Sequence, residues 1–176
     1  MDGIIQHRLL CNWTLMESAY ILRSIAPNDN AEVARIIRSC LTELGADKPG
    51  TVYYDKSTDH LFELFREKGS AYFVAECNGV LLGGGGIFPS PGLPNRTCEL
   101  VKMYLLPQHR GQGIGAALIN RCLDTARQQG FNTVYIESML VFDRAIALYE
   151  RYGFERLAHP LGNTGHYSEV WMTKSL

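Results

Sequence analysis

The chain has 176 residues, 46% of them hydrophobic and 20% charged, with a formal net charge of −1. That length suits one domain with a real core. The charge gives no electrostatic basis for nucleic-acid binding, and no apolar run approaches the roughly 20 residues that cross a membrane.

The N-terminus, MDGIIQHRLLCNWTLMES, lacks the charged-then-apolar order of a signal peptide. Residues 1–18 read as an extension, and a single domain is expected over 19–176. AYILRSI is a short strand, PNDN offers an N-cap, and AEVARIIRSCLTEL is an amphipathic helix closed by Gly45. GADKPGTVYYDKST is polar and glycine-containing, hence a loop. DHLFELFREKG predicts a second helix. SAYFVAEC and VLLGGGGIF are strands joined at Asn78-Gly79, a strong hairpin signal. No helix start follows Gly83 to Gly86, so that run reads as a bulged strand, or one closely approached by a substrate. After the loop SPGLPNRT come the strand ELVKMYLL, a long helix from Ala116 to Gly130, the strand TVYIES, a helix ending at Tyr152, and FERL. HPLGNTGHYS is a loop and EVWMTKSL a final strand. The mixed order of helices and strands gives an α/β or α+β domain. Cys11, Cys40, Cys77, Cys98 and Cys122 show no metal-ligand spacing. Their odd number, without a secretion signal, points to reduced thiols in the cytoplasm, and no metal site is expected.

The most informative stretch is ELVKMYLLPQHRGQGIGAALIN. Arg110, Gly111, Gln112, Gly113, Ile114 and Gly115 run straight into a helix at Ala116. Glycines there leave backbone N–H groups open at the positive end of a helix, a cradle for phosphate or pyrophosphate. Two cofactor classes compete for it. Gly111, Gly113 and Ala116 fit a dinucleotide fingerprint, with Glu137 as a ribose-binding acid. Against this, four residues from Pro107 to Arg110 separate strand from loop. The other pattern is Arg/Gln-x-x-Gly-x-Gly/Ala, matched by Arg110, Gly113 and Gly115.

That second pattern resembles the acetyl-CoA loop of the GNAT superfamily of N-acetyltransferases. AIALYERYGF, Ala145 to Phe154, is similar to the family's Ala-x-x-Leu-Tyr-x-x-x-Gly-Phe signature and follows in the family order. Together they cover roughly Ala19 to the C-terminus. The resemblance implies a largely antiparallel central sheet flanked by helices and splayed near its middle. It implies acetyl-CoA as co-substrate and a primary amine as acceptor. The pyrophosphate would be anchored by the backbone from Arg110 through Ala116, and the pantetheine arm would pair with the backbone of Met103 and Leu105. Glu99 is the leading base and Tyr149 the acid for the departing thiolate; Glu137 and His166 are alternative bases. Strand alternation puts Glu99, Val101, Met103 and Leu105 on one face, and Arg96 or Lys102 is the expected partner should Glu99 be structural. A free carboxylate titrates low for this task, so burial or a water chain is needed.

One position departs from the family pattern. Phe142 stands where many members have an asparagine that contacts the pantetheine, so that role is not carried over. Cys98 is a conceivable nucleophile, but alternation turns it away from Glu99, so direct transfer is favoured. The acceptor pocket is expected from Lys48 to Asp55, with Tyr54, from the second helix, and from HPLGNTGHYS with His166. A small amine, amino acid or peptide end is the expected acceptor, and a homodimer is left open. The rival readings are an acetyl-CoA-binding sensor without turnover and a dinucleotide-dependent oxidoreductase.

Overall fold

The computed structural model describes residues 20–162, 164–165 and 167–176. The extension assigned to 1–18 lies outside them. Seven strands form one sheet in the order β1-β2-β3-β4-β5-β7-β6. They are β1 Ile21–Ser24, β2 Ala71–Cys77, β3 Val80–Phe88, β4 Thr97–Leu105, β5 Thr133–Ser138, β6 Glu155–Leu157 and β7 Val170–Ser175. Every pairing is antiparallel except β4 with β5. This is the mixed, largely antiparallel sheet that the resemblance implied.

The helices α1 (Asn30–Glu43) and α2 (Leu61–Leu64) cover one face, burying Val33, Ile36, Ile37, Leu41 and Leu61. The helices α3 (Ile114–Gln128) and α4 (Asp143–Arg151) cover the other with Ile114, Leu118, Ile119, Leu123 and Ile146. The spacing of these residues is that of an apolar stripe on an amphipathic helix. Asn78 (φ 50°) and Gly79 (φ 79°) make the β2–β3 turn, where both central residues take positive φ.

Two expectations are corrected. The helix predicted over 59–69 is a 3₁₀ turn, Lys56–His60, followed by a single α-turn. The chain leaves the helix so that Phe65 can enter the core, its ring 4.9 Å from Tyr72 and 5.7 Å from Phe88. That packing outweighs the helical pattern of the segment.

The second correction concerns β4. Glu99, Val101, Met103 and Leu105 do not share a face. Lys102 adopts φ 50°, and the β3–β4 register shifts between Gly84 and Gly86. One residue is thereby inserted, and the alternation changes parity. Before the bulge Cys98 and Leu100 pack toward α3 and α4; after it Met103 and Leu105 do. Val101 and Tyr104 face the α1 side, and Glu99 shares that face with Val101.

Asp29 links β1 to the start of α1. Its carboxylate accepts Arg23 Nη1 at 2.6 Å and Nη2 at 2.9 Å, and the Ala26 N–H at 2.7 Å. The Arg23 guanidinium, with the Ala26 bond adding to it, holds the carboxyl below its usual range. The stabilisation is complete above the ordinary carboxylate pKa and fades as pH falls through the lowered one. Asp29→Asn should lower the melting temperature at neutral pH, by about 1–3 kcal/mol of stability for a charged buried bond. The gap to wild type should shrink below about pH 4. Thermal melts across pH test this; a gap that widens in acid contradicts it.

Candidate active site

The site begins where β4 and β5 part. They pair only through Thr97–Glu99 with Thr133–Tyr135, and no ladder joins them beyond. On its other edge β4 stays bound to β3, with Tyr104 opposite Gly84 and the Leu106 N–H on the Leu82 carbonyl at 3.0 Å. Alternate residues of a strand turn their backbone groups to opposite edges. Met103 and Leu105 therefore present theirs to the gap, where an extended ligand can pair with them. The Leu105 carbonyl is already occupied there, accepting Arg110 Nε at 2.9 Å and the Cys40 thiol at 3.2 Å.

At the C-terminal end of β4 a 3₁₀ turn, Pro107–His109, leads to the glycine loop. Helix α3 starts at Ile114, with Gly113 as N-cap in the left-handed region (φ 83°) and no side chain capping it. Its first N–H groups have no intrahelical partner. A Cβ added at Gly111 (φ 75°) or Gly113 would meet nothing within 4 Å, so the space over the loop is open. These features fit a pyrophosphate bound by the backbone of Gly111, Gln112, Gly113, Ile114, Gly115 and Ala116.

Arg110 has another occupation. Its guanidinium grips Glu43 of α1 in a bidentate pair at 2.9 and 2.7 Å, and its own N–H goes to the Pro107 carbonyl. It braces the loop from behind. Gln112 Nε2 similarly ties back to the Gln108 carbonyl at 2.9 Å.

Glu99, Met103, Glu137 and Tyr149 line one cavity of about 280 Å³. Glu99 is 6% exposed and accepts a hydrogen bond from the Ser90 hydroxyl. Of the two cations expected beside it, Arg96 donates its Nε to the Gly130 carbonyl, whereas Lys102, with Nζ 3.7 Å from Asp55 and 3.4 Å from the Thr58 hydroxyl, also feels the Glu99 charge. Burial depresses the Lys102 ammonium below its usual range, although Asp55 counteracts this. Tyr149 is 6% exposed, edge-on to Phe154 at 5.9 Å, and burial raises its hydroxyl above the ordinary phenol range. Glu137 accepts the Tyr135 hydroxyl at 2.9 Å and the Thr164 hydroxyl.

Tyr54 is 60% exposed and stacks on Tyr53 outside the cavity; its neighbours Val52 and Asp55 line it instead. His166 lies outside the described residues. Its loop contributes Thr164 and Tyr167 to the lining, and the Tyr167 N–H binds the Gly50 carbonyl at 3.0 Å, joining the two loops. Phe142 lines the wall edge-on to Tyr104, with Ser138 nearby in the lining. Cys98 belongs to the core on the opposite face, its thiol pushed up to about 12 by burial, far from a nucleophilic thiolate. Sequence reasoning missed Ser90, and it missed the bulge at Lys102. The signal for the bulge was a lysine inside an apolar strand facing four glycines.

The family model "Acetyltransferase (GNAT) family" matches residues 31–154. The N-acetyltransferase YjgM of Escherichia coli K12 is 42% identical over 159 residues, 89% of this chain and 95% of that protein. Human N-acetyltransferase 8 is 32% identical over 118 residues, and the matched region spans only 52% of that longer protein. Among solved structures, a GNAT acetyltransferase from Staphylococcus aureus Mu50 superposes with TM-score 0.76 at 17% identity, covering 89% of this chain and 99% of that one. The protein yncA of Salmonella typhimurium, solved with its cofactor acetyl-CoA, has TM-score 0.71 at 22% identity, over 89% and 94%. This chain belongs to the GNAT acetyltransferase family and is an acetyl-CoA-dependent acyltransferase. The oxidoreductase alternative falls with that assignment, since a dinucleotide fold needs a parallel doubly wound sheet, and here one strand pair is parallel.

The loop geometry yields a test. A Cβ at Gly115 would sit 3.5 Å from Leu105 and from Leu148, an ordinary contact, and its φ is unstrained. Gly115→Ala should fold and keep most acetyl-CoA affinity. On the expectation that the backbone here anchors the pyrophosphate, Gly115→Glu adds bulk and negative charge to the first turn of α3 and should abolish measurable affinity, with circular dichroism checking that the variant is folded. Calorimetry showing wild-type affinity for Gly115→Glu would refute the loop as the anchor.

Proposed function

We propose that the enzyme transfers the acetyl group directly from acetyl-CoA to a primary amine of a small molecule, amino acid or peptide, in the cytoplasm. The observation that carries this reading is the meeting of Glu99 and Tyr149 in one cavity beside Met103, at the inner end of the β4–β5 gap. The four described cysteines are free thiols, in keeping with a reducing compartment. Among the described residues no helix is long and apolar enough to cross a membrane.

Thr51, Val52, Asp55 and Ser57 on one side, and Thr164 and Tyr167 on the other, line the acceptor end. Among the described residues, the charged side chains of the cavity are the carboxylates of Asp55, Glu99 and Glu137 and the ammonium of Lys102. That balance favours a cationic amine. In the transfer, Glu99 takes a proton from the ammonium through water or directly. The freed nitrogen attacks the thioester carbonyl, and the Met103 N–H is the backbone donor nearest the bulge for the developing oxyanion. The C–N bond forms, the C–S bond breaks, the thiolate receives its proton from the Tyr149 hydroxyl, and the second proton shed by the attacking nitrogen returns through water to the Tyr149 phenolate. A sensor without turnover would need neither acid nor base.

Glu99→Gln should lower the rate about 10²–10⁴-fold, the usual span for a general base, with acetyl-CoA affinity unchanged. A normal rate would move the base to Glu137 or His166. Tyr149→Phe keeps the ring packing and removes the donor. Turnover should drop by about 10²-fold or less, because a thiol near pKa 8.5 leaves readily. If the melting temperature falls while single-turnover rate holds, Tyr149 is only a core residue. Because burial raises its pKa, any alkaline loss of activity owed to Tyr149 should appear above the ordinary phenol value of about 10. A limb below that value, kept in Tyr149→Phe, would belong to another group.

A further inference from the structure

The four glycines of β3 leave room for two side chains, one on each face of the sheet. Tyr72 lies opposite Gly86 in the β2–β3 ladder and is 2% exposed. A Cβ on Gly84 would stand 2.7 Å from its ring, and one on Gly86 2.8 Å from it. The ring thus runs across β3 over a strip without side chains. Its hydroxyl reaches the far strand and donates to the Lys102 carbonyl at 3.0 Å. On the opposite face a Cβ at Gly85 would be 2.4 Å from the end of the Met103 side chain, so that chain fills the corresponding notch.

Lys102 is the bulge residue, held at φ 50°, a region that a residue with a Cβ enters only at an energetic cost. Two contacts hold it there: the Tyr72 bond on its carbonyl, and Asp55 with Thr58 around its ammonium. Without the bulge, period-two alternation would return Met103 to the face of Glu99 and turn its backbone groups back toward β3. The glycine run therefore serves β4, because only a strand stripped of side chains lets a residue of β2 bond to one two strands away.

We propose that Tyr72 is a positioning residue for acetyl transfer: its hydroxyl, carried across Gly84 and Gly86, fixes the Lys102 bulge and thereby aims the Met103 backbone into the β4–β5 gap. This rests on the reading that the pantetheine arm runs along that gap.

The test compares two ligands by calorimetry on wild type and Tyr72→Phe. Acetyl-CoA spans the loop and the gap; 3′-phospho-ADP, its nucleotide end, reaches the α3 N-terminus alone. Tyr72→Phe should weaken acetyl-CoA about fivefold or more, the equivalent of one hydrogen bond, lower kcat, and leave 3′-phospho-ADP affinity at the wild-type value. Unchanged acetyl-CoA affinity and kcat in Tyr72→Phe would overturn the proposal. So would equal weakening of both ligands, which is the mark of general loosening. If wild type itself binds acetyl-CoA no more tightly than 3′-phospho-ADP, the path along the gap is wrong, and the inference goes with it.

Discussion

The parting of β4 from β5 is the constraint on which the rest of this molecule depends. A sheet gains stability by pairing its backbone groups, and strands that run side by side would normally zip to their ends. Here they pair over three residues and then separate. Helix α3 leaves the end of β4 and returns to the sheet before β5 begins, so its N-terminus stands at the open end of the gap. A ligand with a diphosphate at one end and an extended amide arm finds both halves of its site on consecutive elements. The parted strands leave polar backbone exposed, and in the proposed binding mode the arm of acetyl-CoA supplies the missing partner. Such an opening is stable only if its walls are rigid. The core supplies that, with α1 clamped to the α3 loop through the Glu43–Arg110 pair and the Leu105 carbonyl.

Much of this was legible because the determining chemistry is local. The Asn78-Gly79 turn needs two residues that accept positive φ, and the sequence supplies both side by side. TVYIES is the strand β5, Thr133–Ser138, as its β-branched and aromatic residues led one to expect, and the glycine loop announced the helix α3. The boundaries of α3 moved by only two residues, since Gly113 rather than Gly115 proved to be the cap.

What could not be read depends on contacts distant in sequence. The pattern of 59–69 is helical in isolation, but Phe65 is drawn into a cluster with Tyr72 and Phe88 that no local rule contains. The bulge at Lys102 is determined by β3, and it reverses the facing of every later residue on β4. A single inserted residue therefore defeated an alternation argument that holds on both sides of it. Arg110 was expected at the cofactor, yet its partner Glu43 lies 67 residues earlier, beyond any spacing rule. Tyr54 was chosen as an aromatic in a loop near the acceptor, whereas Asp55, one residue on, is the side chain that turns inward.

The distribution of charge along β4 follows from the same geometry. At its outer end lies the uncapped start of α3, which attracts an anion. At its inner end lie Asp55, Glu99 and Glu137, which attract a cation. In the proposed reaction acetyl-CoA and an amine approach one strand from opposite ends, each repelled from the other's place. The reacting carbonyl must then come to rest between them, at the bulge. Lys102 fits this arrangement because its ammonium is folded back onto Asp55 and Thr58 and away from the middle of the strand. Its side chain is 7% exposed, and that burial depresses its pKa. Asp55 and the charge of Glu99 together hold the Lys102 ammonium in place at the bulge residue.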